Sequence, residues 1–350
     1  MRITAHHSLS AGSSSLSRHR RFRQNRRPAV TIVEVLVAMA VLSLLAALLL
    51  PAVQFTRERA RRGQCLNNLR QVVQACAAHE SANREFPYTG IQFVGTDNQL
   101  HPACSPHERL LPYVEQNPVF VRIDFNDYAP DVAAMPLASL ANPGLVYYTL
   151  SVFRCPSDSR QPGGNNFRAC MGYGPGVVTP DESAVCTDPG NGTGAFVHGR
   201  AVKAAEFMDG LSTTVMFSER VMGGRGAYRP YSDYLIFLGA ICTTLDAATI
   251  CGTLPVGGPY DAYGGATWLF GGWRHTWYNH LLTPNSPTAD CNSGPLSSGG
   301  GSGAYTARSY HPGGVNSAMA DGSGRFVAQD IDPLVWRAIS TRRGAEARGI

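Results

Sequence analysis

The chain has 350 residues, 44% of them hydrophobic, with 37 Gly and 23 Pro, a composition that points to turn-rich folded structure and away from a helical bundle. Its formal charge of +5 sits in the first 29 residues, which hold seven arginines and no acid, whereas the remainder has 23 basic and 25 acidic residues. That balance offers no general attraction for phosphate backbones, which excludes nucleic acid as a partner on grounds of charge.

Residues 1–29 are rich in Ser, His and Arg and have little to bury, so a disordered basic leader is expected. From Val35 to Val53 there is no charged residue. As a helix this stretch is roughly 28 Å long, close to the thickness of bilayer hydrocarbon. The apolar core of a secretory signal peptide is shorter, about 7–15 residues, so residues 30–55 are expected to form a transmembrane helix. Seven arginines precede the span, against Arg57, Arg59, Arg61 and Arg62 after it. The positive-inside bias then places the N-terminus in the cytoplasm and the remainder outside a bacterial inner membrane, as a periplasmic or extracellular region.

Residues 56–80 continue as an amphipathic helix. Cys65, Leu66, Leu69, Val72, Val73 and Cys76 recur at steps of three and four and share one face, opposite Arg70, Gln71 and Gln74. The pattern predicts one helix from about Val30 to Glu80, bent at Pro51 and relaxed at Gly63.

Glu34 stands at the edge of the apolar run, where an ionised carboxylate needs a partner. It could snorkel beside Arg26 and Arg27. The whole segment suggests a sharper role. A basic leader, then Pro28-Ala29-Val30-Thr31-Ile32-Val33-Glu34 and an uninterrupted apolar helix, resembles the N-terminus of type IV pilins and type II secretion pseudopilins. The resemblance implies cleavage between Ala29 and Val30 by a prepilin peptidase/N-methyltransferase, in positions where that family usually carries Gly and Phe. It also implies that Glu34 neutralises the buried amino group of a neighbouring pilin-like subunit, a desolvated pair selective for register. Pro51 matches the family's helix-bending proline.

In the β-rich exported region, 81–350, short apolar runs alternate with Gly, Pro, Asn and Asp, which suggests antiparallel strands. The expected strands are Val152–Cys155, Gly194–Val197, Thr213–Ser218, Tyr234–Leu238, Val315–Ala320 and Arg325–Ala328. Asp209-Gly210 and Asp321-Gly322 supply turns, the second closing a hairpin. Residues 293–303 read as a surface loop. Asp332-Pro333 reads as an N-cap and first helical residue of a short helix that stops near Gly344.

Five segments, in order, resemble the DUF1559 family of pilin-like proteins. They are the apolar N-terminal helix, RERARRGQCLNNLRQ after it, VFRCPSD at 152–158, EFMDGLSTTVMFSER at 206–220 and SYHPGGVNSAMADGSGRFV at 309–327. The last contains His311, nine residues, then Asp321-Gly322, the H-x9-DG pattern associated with that family. The resemblance implies an α+β pilin-like fold: a long N-terminal helix packed on an antiparallel β-rich domain.

Catalytic signatures are missing: there is no nucleophile elbow, zincin motif, Walker A loop or dinucleotide fingerprint, and His107-Glu108 lacks the second zincin histidine. No enzyme activity and no cofactor are expected. His311 and Asp321 could form a metal or acid–base pair, but a metal wants a third ligand, which the spacing does not supply. The simpler expectation is structural, Asp321 and Gly322 shaping a turn and His311 closing a surface hydrogen bond. Asp124 with Asp127, and Asp330 with Asp332, are candidate calcium ligands without diagnostic spacing. The stretch 259–278 could present aromatic side chains to a carbohydrate, or form ordinary β-core and turns. Nine cysteines suit an oxidising compartment. Cys170 with Cys186, and Cys242 with Cys251, are local pairing candidates, and Cys155 a structural one.

Two functions fit these readings best, beside a residual third, a hydrolase whose site matches no recognised motif. One is a prepilin-like subunit of a pilus- or pseudopilus-like assembly, anchored in the lipid bilayer. The other is a monomeric, membrane-anchored envelope protein that binds a glycan or protein partner.

Overall fold

A computed structural model describes residues 31–90, 93–94, 100–101, 104–125, 143–146, 148–158, 163–176, 192–237, 243–255, 257–293 and 301–344. The leader, Ala29, Val30, Asp127, Cys186, Cys242 and residues 294–300 lie outside them. The chain divides into two units, Met1–Val53 and Gln54–Ile350.

Helix α1 spans Ile32–Asn83 and carries Pro51 within it. Its start is set by a reciprocal cap. The Glu34 carboxylate accepts hydrogen bonds from the Thr31 backbone N–H and hydroxyl (2.8 and 2.9 Å), and the Glu34 N–H donates to Thr31 Oγ1 at 3.3 Å. This Thr-x-x-Glu capping box satisfies donors at the helix N-terminus that have no partner within the helix. Every residue from Thr31 to Val53 is exposed, and most of them are large and apolar.

In the second unit, Cys65, Leu69, Val72, Val73 and Cys76 of the apolar face expected for α1 are buried together with Ala75, while Leu66 is half-buried. The remaining helices are short: α2 (Pro106–Leu110), α3 (Asn117–Phe120), α4 (Pro143–Val146), α5 (Thr244–Thr253) and α6 (Pro333–Ala338). The strands are β1 (Phe93–Val94), β2 (Leu100–His101), β3 (Phe167–Cys170), β4 (Val215–Glu219), β5 (Tyr234–Phe237), β6 (Tyr260–Asp261), β7 (Trp277–Tyr278), β8 (Asp290–Ser293), β9 (Gly303–Ala304), β10 (Gly314–Met319) and β11 (Gly324–Ala328).

Besides the β1–β2 pair there is a five-stranded sheet ordered β11-β10-β4-β3-β7 and a four-stranded sheet ordered β6-β5-β8-β9. Most pairings are antiparallel, but β3–β7 and β5–β8 are parallel. Strands β3, β4 and β10 are buried at every position. They therefore lack the alternation of a strand with one solvated face, and the polar residues Arg168, Ser218, Glu219, Asn316 and Ser317 are buried among the apolar ones. The main core joins the buried face of α1 to Phe153, Phe167, Phe217, Trp268, Trp277 and Trp336. A smaller core of Leu235, Ala247, Cys251, Leu281, Cys291 and Ala304 lies between α5 and the second sheet.

Several expectations are corrected. Residues 151–153 form a 3-10 turn in place of a strand, and residues 194–197 are bends ending in an isolated bridge. Cys251 is bonded to Cys291 and not to Cys242, and Cys170 is a buried free thiol. Of the two readings of residues 259–278 the core one fits, with Trp268, Trp273 and Trp277 buried, although Tyr260 and Tyr263 stay exposed. Helix α6 ends at Ala338, before Gly344.

Candidate functional site

The hairpin β10–β11 is the surface on which the second half of α1 lies, and the contacts run in step along both. Asn316 Nδ2 donates to the Arg62 carbonyl (3.4 Å), and the Arg62 guanidinium sits 4.5 Å from the Phe326 ring centroid. Arg70 Nη2 reaches the Gly324 carbonyl (3.4 Å), and a Cβ on Gly324 would come within 2.6 Å of Leu66 Cδ1. Gln74 lies beside Gly322, whose φ of +87° suits the turn. Glu58, four helical turns before Gln74, reaches His311 at the other end of β10. The helix advances about 24 Å between Glu58 and Gln74. A six-residue strand spans about 20 Å, so β10 with its flanking turns matches that length. His311 and Asp321-Gly322 thus bracket one strand that α1 follows.

The structure separates His311 from Asp321. Asp321 is exposed, and its Oδ1 accepts the Ser323 N–H at 2.8 Å within the turn. His311 is only 2% exposed, not at the surface as the sequence suggested. Its Nδ1 is 2.7 Å from Glu58 Oε1, and its Nε2 is 3.3 Å from Glu219 Oε1 and 3.5 Å from Cys155 Sγ. Its N–H donates to Ser309 Oγ at 3.1 Å.

Each partner of His311 is itself fixed. Glu219, at the end of β4, accepts the Asn316 N–H and side-chain amide, both at 2.9 Å. Glu58 accepts from Ser157 Oγ at 3.3 Å. Cys155 is bonded to Cys65 of α1, across 90 residues of sequence. A small cavity of about 10 Å3, lined by Cys155, Glu219, Arg220 and Arg308, adjoins the group and has room for one water.

Burial alone would lower the His311 pKa. The hydrogen bond and charge of Glu219, and then those of Glu58, outweigh it and hold the pKa above the ordinary histidine value. A protonated ring donates to both carboxylates, so it joins α1 to β4 electrostatically where the disulfide joins α1 to the Cys155-Pro156 loop covalently. Among the described residues, Cys65, Cys155, Glu219 and His311 are the cluster whose donor atoms could hold a metal ion, all lying within 4.8 Å of one another.

Sequence reasoning found His311 and Cys155 but not Glu58, Glu219 or Cys65 as their partners. Those three lie 253, 92 and 90 residues away from the group they meet. The available signal was that four segments already singled out as motifs carry all the members: RERARRGQCLNNLRQ holds Glu58 and Cys65, VFRCPSD holds Cys155, EFMDGLSTTVMFSER holds Glu219 and the H-x9-DG segment holds His311. Asp332 caps α6, its Oδ1 accepting from Leu334 N (2.7 Å) and Val335 N (3.3 Å), so its carboxylate is already engaged. Glu34 holds Thr31, as described above. A separate groove of about 420 Å3 runs past Gln71, Gln74, Tyr113, Glu115, Gln116 and Ser151.

A long helix, apolar and exposed in its first half and laid in its second on an antiparallel-rich sheet, is the pilin-like α+β architecture. The prokaryotic N-terminal methylation motif matches residues 24–50, and with the exposed apolar helix it points to a single-pass membrane anchor. The chain belongs to the family described as "Protein of unknown function (DUF1559)", which matches residues 54–334. Neither a curated protein nor a solved structure is similar enough to match.

Proposed function

We propose that this protein is a structural subunit of a pilus- or pseudopilus-like, type II secretion-like assembly. A prepilin peptidase cuts between Ala29 and Val30 and methylates the new amino group. The N-terminus begins in the cytoplasm, and residues 81–350 are exported. Helix residues 30–55 then pack against those of neighbouring subunits, with Glu34 accepting the charge of a neighbour's amine. The observation that carries this reading is the helix from Ile32 to Val53, exposed throughout, apolar, and holding one carboxylate, within a methylation motif. No catalytic step is part of it.

The capping box supplies a control. Glu34→Gln removes the charge that pairs with a neighbour, whereas Thr31→Ala removes the local cap and leaves the charge. Assembly, read by crosslinking between neighbouring helices, is expected to be lost in Glu34→Gln and kept in Thr31→Ala. Mass spectrometry of protein from its own membranes is expected to find methylated Val30 as the N-terminus. An intact Met1, together with an unaltered Glu34→Gln assembly, would sink the proposal.

The second reading is an anchored envelope protein that binds a glycan or protein. It is favoured by the groove beside Gln71, Gln74 and Tyr113, whose amides and hydroxyl suit a polar ligand. Retention of the unprocessed monomer on polysaccharide would support it.

A further inference from the structure

We propose that Cys65, Cys155, His311 and Glu219 form a zinc site when the Cys65–Cys155 disulfide is reduced, so that the same four side chains hold either a disulfide or a divalent metal.

The geometry is already near the required one. Zinc binds thiolate at about 2.3 Å, imidazole at about 2.0 Å and carboxylate at about 2.0–2.2 Å, in a tetrahedron. Ligand atoms around such an ion therefore stand roughly 3.3–3.8 Å apart. His311 Nε2 lies 3.3 Å from Glu219 Oε1 and 3.5 Å from Cys155 Sγ. Two edges of the tetrahedron are thus in place. The contact that must lengthen is the one between the two sulfurs, and breaking the bond frees both side chains to rotate about χ1.

The surroundings are those of a zinc histidine. Glu58 Oε1 lies 2.7 Å from His311 Nδ1. A carboxylate there keeps the proton on Nδ1, leaves the Nε2 lone pair facing the ion, and raises ligand basicity. Asn316 holds Glu219 by two hydrogen bonds, so the carboxylate is oriented before any ion arrives. All four ligand residues are buried, where two thiolates and a carboxylate without a cation would be costly.

The chemistry balances. A dithiol donates two electrons to the Cys65–Cys155 bond and two protons to the sulfurs, and becomes a disulfide itself. Zn2+ then displaces both thiol protons, and the Nε2 proton when His311 is charged. Oxidation reverses the sequence, with the thiolates giving two electrons to an acceptor disulfide as the ion leaves.

The test uses the full chain in detergent, freed of metal, and titrated with Co2+ as a coloured probe for zinc before and after reduction by a phosphine. The phosphine takes the oxygen of water, becomes its oxide and adds no thiol. The expected result is one Co2+ per reduced chain, with thiolate-to-metal charge-transfer and tetrahedral ligand-field bands, displaced by equimolar Zn2+. The oxidised chain should show none of these bands. His311→Ala should weaken binding by at least about 10-fold, and Cys65→Ser with Cys155→Ser should remove the charge-transfer band. The wild-type spectrum needs no variant to fold. A reduced wild type without a stoichiometric thiolate band overturns the proposal, as does a band unchanged in the double serine variant, which would place the ion on other thiols such as Cys76, Cys104 or Cys170.

Discussion

His280 and His107 are two buried histidines whose protonation the fold opposes. His280 is stacked on Trp336 with centroids 3.5 Å apart, and its Nδ1 and Nε2 lie 2.6 Å from the Trp336 carbonyl and 2.8 Å from Tyr278 Oη. Burial is the main cause that pushes its pKa down to about 3, and likewise pushes His107 down to about 4. In the unfolded chain both would titrate near the ordinary value of about 6.5. As pH falls below that value the unfolded state takes up protons that the native state refuses. The stability each neutral ring contributes is complete above about pH 6.5 and is lost as pH drops toward 4 and 3, by roughly 1.4 kcal/mol per pH unit and per histidine at the steepest. Thermal unfolding at a series of pH values should show this acid-side decline. His280→Gln, less stable at neutral pH, should show a shallower one; an unchanged slope would mean that His280 is already charged in the folded protein.

At the scale of single elements, what could be read from sequence was whatever is decided locally. The helix α1 follows from its apolar periodicity, the β10–β11 hairpin from Asp321-Gly322 between two apolar runs, and α6 from Asp332-Pro333. Each of these signals acts within a few residues of the structure it sets. Strand β3 was not legible, because Phe-Arg-Ala-Cys carries an arginine that reads as surface and is instead fully buried, its Nη1 2.5 Å from Tyr234 Oη. The run at 152–155 reads as a strand, but the chain turns there to bring Cys155 to Cys65. The same limit applied to the site: His311 was visible, while its partners come from three other elements. The α6 cap gives a direct check. Asp332→Ala removes the acceptor for Leu334 N and Val335 N and should cost about 1 kcal/mol, read as a lower urea midpoint with an unchanged slope. No loss would mean that the buried Trp336 alone seats the helix.

Across the second unit, the two larger sheets are joined by buried charge. Arg220 follows β4 of the first sheet; it pairs with Asp290 of β8 in the second and donates from Nε to Tyr234 Oη of β5 at 3.0 Å. Arg308 holds the other oxygen of Asp290 at 2.9 Å. Burial would raise the Asp290 pKa, but Arg220 and Arg308 outweigh it and keep the group ionised. Asp290→Asn leaves two buried guanidinium groups short of a counter-charge and should cost roughly 3–5 kcal/mol. Tryptophan fluorescence and circular dichroism should follow the lowered midpoint together, because the network belongs to both sheets; separate transitions would show that the sheets unfold independently. The Cys65–Cys155 bond has a mechanical meaning as well. Tension drawn along α1 from its membrane half meets the Glu58–His311 contact first and then a covalent staple at Cys65 that bypasses the next 90 residues. Those residues correspond to about 300 Å of fully extended chain. A pull on the oxidised protein cannot release that length, so the strand α1 follows is shielded from a load that the reduced protein would have to bear.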